Sequence, residues 1–169
     1  MRLTVNGLEH QVASEPLTAL LHILRDELDI TSPKAGCQQG GCGACTVLVD
    51  GEPRKACLLP LAAVEGREVT TVEGLGSADE LSPLQRAFHE RYASQCGFCT
   101  PGMILAAHAL IQRNGGPVDR DEVIETLEGH YCRCTGYVKI VDAVCAASRG
   151  EVGGTAPTEP QARAAEAST

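Results

Sequence analysis

Gly36-Cys-Gln-Gln-Gly-Gly-Cys-Gly-Ala-Cys-Thr-Val47 decides how the first half of this chain is read. Cys37, Cys42 and Cys45 form a C-x4-C-x2-C run, and Cys57 follows after eleven intervening residues. A [2Fe–2S] cluster bound in the plant-type pattern uses this spacing. Three thiolates from one loop must wrap a flat diamond of iron and sulfide, so the backbone has to curl tightly. Gly36, Gly40, Gly41 and Gly43 permit that curl and bring N–H groups close to sulfur. The same four cysteines also make the donor set of a structural zinc site. Zinc sites more often present two compact ligand pairs, whereas three of these ligands share one glycine-rich loop.

Outward from this loop, the flanking residues describe a small α+β unit. Leu3 and Val5, Asn6-Gly7 and Leu8 to Val12 predict a β-hairpin, because Asn-Gly suits a tight two-residue turn. Leu17, Leu20, Leu21, Leu24 and Leu28 recur at helical spacing, which predicts an amphipathic helix from about Thr18 to Leu28. Downstream, Thr46 to Val49, Asp50-Gly51 and Pro53 to Leu59 predict a second hairpin with Cys57 on its return strand. Val69 to Val72 is a last short strand, and the unit is expected to span residues 1–76.

The signals then change from period two to helical spacing. Ser82-Pro83 starts a helix with Leu84, Ala87 and Phe88 on one face. Pro101 opens a strongly apolar helix that runs to Asn114 and stops at Gly115-Gly116. Asp119 and Glu122 have the spacing of a capping box, and Tyr137 to about Ala147 forms a fourth helix. An all-α domain is therefore expected over 80–148. From residue 149 to 169 the chain turns to Gly, Ala, Thr, Glu and Pro without periodicity, the composition of a disordered tail.

The second domain carries its own four cysteines. Cys96 and Cys99 precede the Pro101 helix, and Cys132 and Cys134 precede the Tyr137 helix. Two helix N-termini then face one point, where they stabilise the negative charge of four thiolates and two sulfides. A C-x-C pair strains to reach one tetrahedral ion, and a two-iron cluster offers two metals to share it. Cys145, the ninth cysteine, sits on an apolar helix face as a buried thiol. His130 invites comparison with centres in which histidine replaces cysteine, but four cysteines are already supplied and the paired Cys/His motifs are absent. His10, His22, His89 and His108 stand singly. Arg133, between two of the cysteines, has two readings of equal weight, as an offset to cluster charge and as half of a surface ion pair.

Composition narrows the classes. Apolar residues are 43% of the 169, aromatics only 3%, and Trp is absent, so bound metal is an expected brace. A formal charge of −8 with no basic stripe argues against nucleic acid and anionic membranes as partners. No apolar run is long enough to span a bilayer, and Met1 to Gln11 alternates where a secretory signal would be basic and then apolar. Cytoplasmic placement, where thiols stay reduced, is the expectation. An odd cysteine count without such a signal favours metal over disulfides.

Three motifs together carry a resemblance: Gly36 to Val47, Gln95-Cys-Gly-Phe-Cys-Thr-Pro-Gly102 and Cys132-Arg-Cys-Thr-Gly-Tyr137. They resemble, over residues 1 to about 148 and in the same order, the small iron–sulfur subunits of the xanthine dehydrogenase (molybdenum hydroxylase) family. The resemblance implies a β-grasp plant-type ferredoxin domain followed by a four-helix [2Fe–2S]-binding domain. It implies an electron relay from a molybdopterin cytosine dinucleotide on a large subunit to FAD, or another acceptor, on a medium subunit. The implied assembly is a dimer of heterotrimers. By matching positions, Cys37, Cys42, Cys45 and Cys57 would hold the cluster nearer the flavin. Cys96, Cys99, Cys132 and Cys134 would hold the one nearer molybdenum, with Gln95 and Cys134 facing the pterin. Such subunits serve oxidations of purines, N-heteroaromatics, aldehydes, aromatic acyl-CoA thioesters and carbon monoxide. Where the family commonly has Asn and then Leu or Ile before Cys-Arg-Cys, this chain has His130 and Tyr131. A stand-alone two-cluster ferredoxin and a zinc-braced interaction module remain as alternative readings.

Overall fold

The computed structural model of the chain describes residues 1–77 and 79–153. Two hairpins build most of the sheet. Strands β1 (Arg2–Val5) and β2 (Leu8–Gln11) turn through Asn6 and Gly7, both at positive φ. Strands β3 (Thr46–Val49) and β4 (Glu52–Lys55) turn likewise through Asp50 and Gly51. Positive φ at both turn positions matches the right-handed twist of the flanking strands. Strand β5 (Glu68–Thr70) lies between the hairpins, parallel to β1 and antiparallel to β3, giving the order β2-β1-β5-β3-β4.

One face of this sheet buries Leu3, Val5, Val47, Val49 and Val69 against Leu20, Leu21, Ile23 and Leu24. Each such side chain contributes about 1.5–3 kcal/mol by leaving water. The helix that carries the leucines differs from the expectation. It begins at α1 (Leu20–His22) and continues as a π-helical turn over Ile23–Glu27, while Leu17 is 85% exposed. The cause is a β-bridge: Ala19 pairs with Pro60, and Leu20 N–H donates to Leu59 O, which keeps Ala19 extended, while Thr18 is taken up in a turn with Glu15. The second hairpin is also shorter than expected. After Lys55 the backbone tightens into a 3-10 turn, Ala56–Leu58, so Cys57 sits on that turn and not on the return strand.

The second half holds four helices among the described residues. Helix α2 (Pro83–Glu90) starts at a capping box in which Gln85 N–H donates to Ser82 Oγ and Ser82 N–H to Gln85 Oε1. Helix α3 (Thr100–Asn114) ends where Gly115 turns left-handed. Helix α4 (Arg120–Leu127) begins at the Asp119/Glu122 box. Helix α5 (Val138–Ser148) packs against α2 and α4. Phe88, Met103, Leu110, Val123, Ile140 and Val144 lie in a second core. Helix α3 also lies against β3, so the strand is buried along its whole length. Beyond α5 the chain folds back: Val152 packs on the helical core, and Gly153 N–H donates to Glu90. Residues 154–169 of the expected tail lie outside the described residues.

Candidate metal centres

The first four cysteines are drawn together by the loop between α1 and β3 and by the turn after β4. Cys37 N–H donates to Cys42 Sγ at 3.4 Å, while Cys42 N–H and Gln39 N–H donate to Cys37 Sγ at 3.3 and 3.4 Å. The Gln39 and Cys42 N–H groups hold the Cys37 thiol down at about 6. Cys45 and Cys57 face one another as a second pair. Burial pushes the Cys45 thiol up to about 11, so a lone thiolate is costly there and a bound cation would offset the cost.

The second four gather at the start of α3 and before α5. Cys96 Sγ and Cys134 Sγ are 3.6 Å apart and exposed. Cys99, the residue that caps α3, and Cys132 face one another beneath them and are buried. Burial again raises the deeper thiol, Cys99, to about 12. For Cys132 burial also acts upward, but the Thr135 hydroxyl, 3.1 Å from its sulfur, and nearby N–H groups bring the net shift down. Tyr137 fixes this loop: Cys132 N–H donates to its hydroxyl at 2.8 Å, and the hydroxyl donates to His130 O at 3.0 Å. The backbone of Tyr137 is left-handed at φ 69, an unusual state for a bulky residue. Gln95 is exposed next to Cys96, on the open side of this site.

Each set is therefore two pairs of thiols. Among the described residues no three His, Cys, Asp or Glu side chains are gathered closely enough to hold a single ion. A [2Fe–2S] core takes two thiolates on each iron, and paired, all-sulfur donors with N–H groups aimed at sulfur fit that demand.

The two sites adjoin. Tyr131 N–H donates to Cys42 O at 2.9 Å, linking the loop of one directly to the loop of the other. Gly43, at φ 73, is the point of closest approach: a Cβ there would lie 2.5 Å from Gly129 O and from the His130 ring. A Cβ on Gly102 of α3 would strike the Gly43 carbonyl from the other side. His130 is buried, and its Nε2 lies 3.0 Å from Thr46 Oγ1 while its Nδ1 is unpartnered. Burial, and then the Lys55 ammonium, hold it down at about 4, so it stays neutral at physiological pH. His130 thus serves the joint between the sites. Arg133 is exposed. Lys55 went unmarked in the sequence, and Thr46 and Gly102 stood out only as members of the cysteine motifs, because their partners across the joint are distant in the chain. Tyr137 had a local signal, its fixed place after Cys-Arg-Cys.

Two family models match the chain. Residues 3–75 match the 2Fe-2S iron-sulfur cluster binding domain, and residues 71–145 match the [2Fe-2S] binding domain. The nicotine 6-hydroxylase small subunit of Paenarthrobacter nicotinovorans is 46% identical over 149 residues, covering 88% of this chain and 88% of that one. The chain belongs to the [2Fe–2S] small subunits of the xanthine dehydrogenase family. Quinoline 2-oxidoreductase from Pseudomonas putida 86 is similar in structure too, with a TM-score of 0.81 at 44% identity, over 90% of this chain and 98% of that one. The xanthine dehydrogenase of Blastobotrys adeninivorans is 40% identical over 89% of this chain, which spans only 12% of that much longer protein. As a small subunit of this family, the chain is an iron–sulfur, electron-transfer component of an oxidoreductase complex. Among the described residues no helix is long and apolar enough to cross a membrane.

Proposed function

We propose that this subunit carries two [2Fe–2S] clusters and relays electrons between a molybdenum site and a flavin on partner subunits. The first would be held by Cys37, Cys42, Cys45 and Cys57 in a β-grasp domain. The second would be held by Cys96, Cys99, Cys132 and Cys134 in a four-helix domain. The observation that carries this reading is the grouping of eight thiols into two sites of two pairs, joined by the Tyr131–Cys42 hydrogen bond. Each cluster, when bound, accepts and releases one electron.

The rest of the proposal concerns direction and partners. Gln95, Cys96 and Cys134 are exposed together, so electrons would enter there from a molybdopterin cytosine dinucleotide on the large subunit. An amide offers donors and an acceptor, which suits the mixed edge of a pterin. Electrons would leave from the first cluster to FAD, or another acceptor, on a medium subunit. The complex is proposed as a dimer of heterotrimers in the cytoplasm, where a reducing environment suits eight thiolates. Alone, the chain would oxidise no organic substrate, because neither site holds a group that does bond-making chemistry.

Low-temperature EPR of the partly reduced protein tests the two-site assignment. Two distinct rhombic signals are expected, with Cys42→Ser weakening one and Cys99→Ser the other. Loss of one and the same signal in both variants would refute it.

A further inference from the structure

Lys55 belongs to both halves of the molecule. Its register partner on β3 is Thr46, so the two side chains share a face of the sheet beside Cys45 and two residues before Cys57. From there the ammonium donates to Thr46 Oγ1 at 3.1 Å and to Gly129 O at 3.3 Å, in the segment that leads to Cys132. Lys55 is half-buried, yet no carboxylate pairs with it among the described residues. Leaving an ammonium in such a place is costly unless negative charge lies near. The negative charge at hand is sulfur: Thr46, to which the ammonium donates, directly follows Cys45, and Lys55 itself lies two residues before Cys57.

We propose that the Lys55 ammonium is the counter-charge of the cluster held by Cys37, Cys42, Cys45 and Cys57, and that it raises that cluster's reduction potential above what the thiolates alone would set. The proposal rests on the two-cluster reading above. Reduction adds one electron and one unit of negative charge to the cluster, and a fixed positive charge nearby stabilises the product more than the reactant. On the side of the second cluster the same side chain reaches only the Gly129 carbonyl and the His130 ring, both in the segment before Cys132. Lys55 therefore acts unequally on the two, favouring the flow of electrons from the second cluster to the first. Its link to Gly129 makes it a positioning residue as well.

Redox titration of the cluster-loaded protein, followed by EPR, tests this. The signal lost in Cys42→Ser identifies the first cluster. Lys55→Met is expected to lower that cluster's reduction equilibrium constant by up to tenfold, about 59 mV for one electron. The second cluster should shift far less, and Lys55→Arg, which keeps the charge, should restore most of the loss. If Lys55→Met loads little iron, Lys55→Gln carries the same expectation. An unmoved first cluster, an equal shift of both clusters, or an Arg variant that behaves like Met would each overturn the proposal. A single signal in the unaltered protein would instead sink the two-cluster reading, and the proposal with it. Two signals that both ignore Lys55→Met would sink the role of Lys55 alone.

Discussion

One hydroxyl holds the Cys132–Cys134 loop in place. Tyr137 Oη accepts from Cys132 N–H and donates to His130 O, and it does so from a left-handed backbone that a bulky residue adopts at a cost. Two bonds from one atom define the loop, and one of them satisfies the N–H of the buried Cys132. Tyr137→Phe keeps the ring and removes both bonds. It leaves a buried donor unpaired at a cost of about 1–3 kcal/mol. The expected outcome is selective: the EPR signal assigned to the second cluster broadens or loses intensity, while the first keeps its shape and amount. Equal loss of both signals would mean that Tyr137 serves general folding and not this loop. At the same scale, Gly43 is the position that tolerates least. Its positive φ and the atoms facing its Cα leave no room for a methyl group.

Elements that end on local chemistry were legible in the sequence. The turns at Asn6-Gly7 and Asp50-Gly51, the Ser82/Gln85 and Asp119/Glu122 caps and the left-handed stop at Gly115 all fall where residues a few positions apart dictate. Elements shaped from a distance were not. The helix over Leu20–His22 starts late because Pro60 pairs with Ala19, a contact that no leucine spacing reports. The cysteine motifs gave both donor sets, but the knot of Thr46, Lys55 and His130 joins residues more than seventy positions apart. The 3-10 turn Val72–Gly74, between the halves, is a further case. Burial pushes the Glu73 carboxyl on that turn up, yet hydrogen bonds from Ser32 and Thr71 outweigh it, and the net shift is below the ordinary 4.5. A depressed carboxyl stabilises the fold fully above its ordinary value, and that contribution fades as pH falls through the folded one. Glu73→Gln is therefore expected to flatten the acid limb of stability against pH, measured by denaturant unfolding at stepped pH. An acid limb as steep as that of the unaltered protein would show that this carboxylate contributes nothing.

On the scale of the whole molecule, two small cores poor in aromatic residues meet at a joint of close-packed glycines and a few hydrogen bonds, among them Tyr131 to Cys42, Lys55 to Gly129 and Thr46 with His130. The second site is built in depth, with Cys99 and Cys132 sealed beneath and Cys96 and Cys134 open to water. In the first site none of the four cysteines is fully exposed. That difference sets an order of decay. Away from its partners, the subunit leaves two ligand sulfurs of its second cluster within reach of chelators and oxidants, while its first cluster is better shielded. A ferrous chelator added to the reduced, isolated subunit is expected to erase the second EPR signal well before the first. If a partner covers that face in the complex, as the proposed relay requires, both signals should fade together and slowly. Loss of the first signal ahead of the second in the isolated subunit would contradict this. On the proposed relay, assembly would then act as preservation: the opening through which electrons enter would be the one through which the subunit, left alone, spoils.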